Sequence, residues 1–446
     1  MACLGEVKQT RPHPKGDAPP TEAHHASIDQ LASKVQRKVI RFRHDFHKNP
    51  ELSNREFRTA KKVADHLRSL GLDEVHTDIA PTGVVGLLKG GKGGDKVIAL
   101  RADMDALPVE ETAPVPFKST KIDKKFPGGP FPVAHSCGHD AHTAMLMGAA
   151  EVLAQMRDDL PGTVMFVFQP AEEGPPVGEP FGAEAMLDAG VFDKLKPDCC
   201  FGMHTSPLPA NYVGYVRGPE SQLAASAVFK IHIQGKQVHG STPWMGLDPL
   251  PVLATINDGV AQIYRQVDAN EPITISIGKI DTVGRTNIIG DYLDAWGTVR
   301  CVHERIMGDV KSRIERVVEY AAKVHGLTAS IEYYQDTPPI VNDPKWVDAF
   351  MPSLERVAGD GKIVQMEPVL GYDDVSQFIR AVGGMYVVVG SQNTKFGADH
   401  TLAPVKKGDP LGGPVPNHNP GYYVLDETMQ TGVRLHCHVA VDHLTS

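Results

Sequence analysis

Cysteine is scarce, with 6 in 446 residues, and two of them, Cys199 and Cys200, are neighbours. So scattered a set builds no disulfide framework. Basic charge is also short: 45 Lys and Arg against 54 Asp and Glu give a net charge of −9. Without a basic stripe there is little to neutralise phosphates, which argues against nucleic acid as the partner. No apolar run approaches the length needed to cross a bilayer, so no membrane partner is expected. Residues 1–26 lack the apolar stretch of a secretory leader and are polar and proline-bearing, which predicts a disordered segment. The expected compartment is the cytoplasm, or the periplasm or exterior if a leader has been removed.

What remains is the composition of a globular protein, 41% apolar and 22% charged, too long for one ordinary core. Ser27 to Gln30 reads as a capping box opening a helix with Leu31, Val35, Val39, Phe42 and Phe46 inside. A second helix buries Phe57, Ala60, Val63, Leu67 and Leu70 and closes at Gly71. Short aliphatic strands follow at 83–89 and 97–100, the latter running into Asp103 and Asp105. The stretch 163–168 reads as a central parallel strand ending before Glu172-Glu173, and 199–203 as one ending at His204. Open α/β sheets place ligands at such strand ends. From Ser221 the order becomes β-α-β-β-α-β, the pattern of a ferredoxin-like unit. The fold class expected is α/β, with a mainly parallel central sheet over 27–220 and 337–446. Inserted into it is a ferredoxin-like α+β domain over 221–336.

The chemistry concentrates in Ala134-His-Ser-Cys-Gly-His-Asp-Ala-His142, where five metal-capable side chains fall within eight positions. Cys137 and His139 are two apart, so in an extended segment they point the same way, and Gly138 lets the backbone bend between them. A thiolate converging with an imidazole suits zinc or a similar borderline metal. An amphipathic helix follows, with Met145, Ala149, Val152 and Met156 on one face and Asp140 placed to cap it. Cys137 and His139 together with Glu173, His204 and His418 offer five ligands, more than one tetrahedral structural zinc needs and enough to share between two metals. Glu172 beside them can take a proton from bound water and return it to a leaving amine. Taken singly each residue has a plain alternative: a buried thiol, a solvated Glu-Glu turn, a surface histidine, a helix-capping aspartate. It is the combination that points to a site.

These motifs resemble the M20 metallopeptidase/amidohydrolase family. The residues that carry the resemblance are Arg101-Ala-Asp-Met-Asp-Ala-Leu-Pro, His135-Ser-Cys-Gly-His-Asp-Ala-His, Phe168-Gln-Pro-Ala-Glu-Glu-Gly, Gly202-Met-His and His418-Asn-Pro. The branch is that of N-acyl-amino-acid amidohydrolases, hippurate hydrolases and indoleacetyl-amino-acid hydrolases, and the likeness runs from Ser27 to the C-terminus. The resemblance implies a zinc-peptidase-like catalytic domain with an inserted lid or dimerisation domain, and hence a homodimer or higher homo-oligomer. It implies Cys137, His139, Glu173, His204 and His418 as ligands of two divalent ions, with Glu172 as general base. Zinc is favoured by the cysteine, with manganese or cobalt as alternatives. Asp103 and Asp105 would orient the ligands from behind, and His142 would do so or be structural. In the inserted domain, His239 of Gly235-Lys-Gln-Val-His-Gly-Ser-Thr-Pro-Trp would support the oxyanion, and in dimeric relatives it comes from the neighbouring subunit. Asn287 would contact substrate, and Arg285 is a candidate for the substrate's free carboxylate.

The implied partner is a small N-acyl amino acid or short peptide, and the implied reaction is hydrolysis of its amide. A dipeptidase or metallocarboxypeptidase of the same fold differs only in substrate. A non-catalytic ligand-binding relative should lack a ligand or the base, and none is missing. A structural zinc protein would unfold on chelation. Three features depart from the family pattern: Gly290 where proline is common, Tyr372-Asp373-Asp374 in place of a frequent acidic-aspartate-phenylalanine sequence, and a long Gly- and Pro-bearing stretch over 391–416.

Overall fold

The computed structural model describes residues 21–399 and 401–446. They form two compact units. The first takes the described residues up to Pro219 together with Val341–Glu367 and Asp374–Ser446; the second takes Glu220–Ile340 and Pro368–Asp373.

The first unit is built on an eight-stranded sheet. Across it run Glu74–Ile79, Gly83–Lys89, Thr163–Gln169, Val97–Asp103, Cys199–Pro209, Gly384–Gln392, Val213–Tyr215 and Ile363–Gln365. The four middle strands, from Thr163–Gln169 to Gly384–Gln392, are mutually parallel. Thr163–Gln169 is not flanked by parallel neighbours on both sides, because Gly83–Lys89 pairs with it antiparallel. All seven residues of Val97–Asp103 are buried, which is why the segment reads as a continuous apolar run rather than an alternating one. The Cys199–Pro209 strand does not stop before His204 but continues five residues beyond it, paired with Gly384–Gln392.

Several sequence expectations change in the helices. The first helix spans Thr21–Lys48, so Ser27 lies inside it, its hydroxyl donating back to the Ala23 carbonyl. Residues 21–26 are therefore helical, not disordered, while the rest of that expectation falls outside the described residues. The early turns are held by distant partners that no local pattern announces: Glu22 pairs with Arg356, and His25 with His438 and Asp442. In the second helix, Phe57–Ser69, Val63 and Leu67 are fully buried, but Phe57 at its start is 62% exposed.

The helix after the metal motif, His139–Gln155, is not amphipathic: it is buried on nearly every side. A helix apolar all round belongs in a core, and this one sits among Thr21–Lys48, Met429–Thr445 and the sheet. Gly148 marks the closest approach, since a β-carbon there would lie 2.5 Å from Val39 and 2.8 Å from Val433.

In the second unit the strands Ala225–Gln234, Ile273–Thr282, Tyr292–Cys301 and Thr328–Thr337 alternate with helices Leu250–Ile263 and Glu304–Val324 in the order β-α-β-β-α-β. The sheet order is Ile273–Thr282, Tyr292–Cys301, Ala225–Gln234, Thr328–Thr337, antiparallel throughout. Its core joins Phe229, Ile231 and Ile233 of the sheet to Val252, Ile256, Val310 and Ile314 of the helices. The segment Pro368–Asp373, expected in the first domain, belongs here: Val369 N donates to Gln222, Ala224 N to Gly371, and the Arg300 guanidinium to the Leu370 carbonyl.

Candidate metal centre

The parallel strands Val97–Asp103 and Thr163–Gln169 end side by side, Asp103 opposite Gln169. Their outgoing loops carry Asp105 and the Glu172-Glu173 pair, and the helix His139–Gln155 starts beneath them. Its N-terminus is entered through Gly138 at φ +95°, where a β-carbon would sit 2.2 Å from the Thr205 hydroxyl. Only glycine meets both conditions without displacement. Asp140 does not cap this helix. It is the second helical residue, and its carboxylate accepts from Arg43 Nε at 3.2 Å and from His47 Nδ1 at 2.9 Å.

The five expected ligands converge, all within the first unit. Cys137 Sγ lies 3.2 Å from His204 Nε2. Glu173 stands between two imidazoles, Oε1 3.6 Å from His139 Nε2 and Oε2 3.3 Å from His418 Nε2. Glu172 Oε2 is 3.8 Å from the same His139 nitrogen. His418 is the exposed member, at φ +67°, and its backbone N–H donates to the Ser136 carbonyl at 2.8 Å.

Supporting contacts fix which imidazole nitrogen faces the centre. His204 Nδ1 donates to the Thr205 carbonyl at 2.7 Å, so its neutral ring presents Nε2 as a lone pair; His139 Nδ1 meets Asp105 Oδ1 at 3.3 Å, which leaves Nε2 as the nitrogen that a metal would take in exchange for a proton. His142 differs, because both its nitrogens are engaged within the protein. Nδ1 donates to Asp103 at 2.6 Å, and Nε2 accepts from the Thr205 backbone N–H at 2.8 Å. It lies beside His204 and Asp103 in the candidate cluster, with both nitrogens taken up by protein partners. Asp105 gathers more than its position suggests, accepting from Ser53 Oγ at 2.6 Å, Glu173 N at 3.0 Å and Glu172 N at 3.2 Å.

The donor set fits divalent metal. His139 Nε2 and Glu173 Oε1 are buried without a hydrogen-bond partner, facing each other. Orphaned polar atoms of this kind are rare and call for an explanation. Burial alone would lower the His139 pKa, but the Asp103 charge, the Asp105 hydrogen bond and Glu173 outweigh it and raise it to about 10. Burial, with Glu173 and Glu172 nearby, pushes the Cys137 thiol well above its usual range. A pocket that favours protons this strongly favours positive charge, and a dication exchanges with those protons on binding. His204 is held neutral, its pKa pushed well down by burial and by the neighbouring His142.

Several further residues, to which the sequence reading assigns no role, support the site. Arg101, wholly buried, reaches Gln169 at 2.8 Å, Asp103 at 2.7 Å and Asp374 at 3.3 Å. Glu56 accepts from Ala171 N at 2.9 Å and from the Thr82 hydroxyl at 2.6 Å, setting the approach to Glu172. Burial and the Asp105 charge raise its pKa to about 8. His47 bridges Asp140 and Glu111. Asn417 is marked in the sequence only by its neighbour His418.

His239, Asn287 and Arg285 belong to the second unit, and all three are exposed. They sit on one small ladder: Val238–His239 pairs with Ile288–Ile289, Gly240 N donates to the Asn287 carbonyl, and Arg285 N to that of Ile288. His239 Nδ1 accepts from Ser241 N at 3.0 Å and lies 2.7 Å from its hydroxyl. The ring's proton is thereby placed on Nε2.

Known proteins share this plan. A family model described as peptidase family M20/M25/M40 matches residues 99–404. Thermostable carboxypeptidase 2 of Saccharolobus solfataricus is 37% identical over 406 residues, covering 90% of this chain and 94% of that protein. An IAA-amino acid hydrolase of Arabidopsis thaliana is 33% identical over 412 residues, 91% of this chain and 86% of its own. Among solved structures, a dinuclear metal-binding M20 peptidase from Bacillus subtilis superposes with a TM-score of 0.70 at 28% identity, covering 93% of this chain and 99% of that one. With its buried sheet, the motif residues at the strand ends and matches of this length, the chain belongs to peptidase family M20/M25/M40 and is a metal-dependent hydrolase.

Proposed function

We propose that this chain hydrolyses the amide of an N-acyl or N-aminoacyl amino acid, using two divalent ions held by Cys137, His139, Glu173, His204 and His418. The observation that carries the proposal is Glu173, whose two oxygens face His139 and His418 separately, with Glu172 beside the first. A carboxylate so placed suits two cations sharing one site. When bound, the ions polarise the scissile carbonyl and acidify water. Glu172 takes the water's proton and later gives it to the departing amine, as a positioned carboxylate can. His239, with its proton on Nε2, donates to the developing oxyanion. Asn287 contacts the substrate, and Arg285 pairs with its free carboxylate. Asp103 and Asp105 orient His142 and His139 from behind. The cysteine favours zinc, with manganese or cobalt as the alternatives to test. The segment 221–336 acts as lid or dimerisation domain, giving a homodimer or higher oligomer.

The dinuclear peptidase and the IAA-amino acid hydrolase among the relatives support this reading. The carboxypeptidase relative favours a second one, cleavage of a C-terminal residue from a short peptide by the same machinery. Protein loaded in turn with Zn, Mn and Co and offered N-acetyl amino acids, N-benzoyl amino acids and dipeptides separates the two. Glu172→Gln should lower kcat by about 10²–10⁴-fold, the range of a lost general base. Wild-type turnover in that variant would remove the assigned base.

A further inference from the structure

Asn417 immediately precedes His418, is half-buried, and points one amide group at three atoms. Its Nδ2 lies 3.1 Å from the Cys137 carbonyl, 3.3 Å from the Thr205 carbonyl and 3.8 Å from Cys137 Sγ. The Thr205 carbonyl is the same oxygen that receives His204 Nδ1 at 2.7 Å. One side chain therefore touches the loop of one ligand and the strand of a second, while its own backbone leads into a third. That third ligand is held in an unusual state, since His418 has φ +67°. A residue with a β-carbon adopts that conformation when its surroundings impose it. Here the imposed contacts are His418 N to Ser136 and the Asn417 amide to Cys137 and Thr205.

We propose that Asn417 is a positioning residue of the metal centre, which fixes Cys137, His204 and His418 relative to one another and donates to the Cys137 sulfur. The inference rests on the reading of those residues as ligands. An amide offers two protons, and here three acceptors surround it, so one proton is shared and the sulfur receives part of it. A hydrogen bond to a metal-bound thiolate withdraws electron density from sulfur. Removing it leaves the sulfur a stronger donor and moves its charge-transfer absorption to lower energy. Removing the two carbonyl contacts loosens the spacing of the ligands and weakens metal binding.

The test uses the full chain loaded with Co(II), read by the thiolate-to-cobalt absorption band and by Co(II) affinity. Asn417→Leu keeps the volume without donors, and Asn417→Ser keeps a short polar group, so a folding defect in one leaves the other to report. Both variants should show the band at lower energy and a Co(II) Kd raised about 10–100-fold, the usual effect of losing a contact behind a ligand. A band at the wild-type position together with a Kd within twofold of wild type, in a folded variant, would overturn the role of Asn417 while leaving the ligand assignment intact. Wild-type protein that binds cobalt with no such band, or a Cys137→Ser variant that keeps it, would remove Cys137 as a ligand and this inference with it.

Discussion

Asp105→Asn isolates one carboxylate that supports the centre without being assigned to it as a ligand. Asp105 Oδ1 meets His139 Nδ1 and the Glu172 N–H, and Oδ2 meets Ser53 Oγ and the Glu173 N–H. The carboxylate is buried, and its pKa is held below the usual value despite that burial by His139, Ser53 and the Glu173 amide. Asparagine keeps one acceptor oxygen and turns the other position into a donor. If the NH2 takes the Oδ2 place it confronts the Glu173 N–H, while Ser53 can rotate to accept. If flipped, it confronts Glu172 N and His139 Nδ1 together. Either way at least one buried donor loses its acceptor, at about 1–3 kcal/mol. The damage falls on the backbone of Glu172 and Glu173 and on the ring of His139, so metal affinity or turnover should drop about 10–100-fold. Competition with a chromophoric chelator gives the affinity, steady-state kinetics gives kcat, and thermal melting gives the stability. Values of all three within twofold of wild type, or within 0.5 kcal/mol, would refute the claim that Asp105 sets the geometry of the Glu172-Glu173 loop (about the size of a neutral surface change).

Gly138→Ala should cost about 1–2 kcal/mol for the left-handed backbone, and more for a β-carbon 2.2 Å from Thr205 Oγ1, so metal affinity should fall with stability. An unchanged melting temperature would show the loop to be looser than described. His47 supplies a pH test: burial opposes its charge, but Asp140 and Glu111 raise its pKa from 6.5 to about 9, about 3 kcal/mol of linkage. A raised pKa means the stabilisation is full below pH 6.5 and is lost as pH rises through about 9, a slope that His47→Gln should flatten in denaturant titrations. Chelation should abolish activity while far-UV circular dichroism stays the same, because the two apolar cores do not depend on the metal; unfolding would mark the metal as structural.

The parts of this fold legible in the sequence are those where one residue's environment follows from its neighbours. Apolar runs marked the buried strands, and acidic or imidazole residues just beyond them marked the ligand edge. The two-residue spacing of Cys137 and His139 gave their shared direction. What escaped was long-range. The Ser27 capping box was a sound local pattern, yet six further residues are helical because Glu22 and His25 find Arg356, His438 and Asp442 hundreds of positions away. Asp140 had the form of a cap but is taken by Arg43 and His47 from the first helix. The helix behind it looked amphipathic because small residues such as Gly148 do not register as apolar until another helix is seen against them. Pro368–Asp373 joins the second unit with no sign in the sequence, since a short segment pairing through backbone atoms leaves little trace in its side chains.

The clamping of His139–Gln155 between the first and last helices bears on how the protein is made. Residues early in the chain (Arg43, His47) and far along it (Val433 of Met429–Thr445) must all be in place before the helix with His139 is seated. On a ribosome the nascent chain exposes Cys137, His139, Glu173 and His204 well before the remaining ligand leaves the exit tunnel. A ribosome stalled before residue 418 should therefore carry a polypeptide that yields its metal readily to a competing chelator.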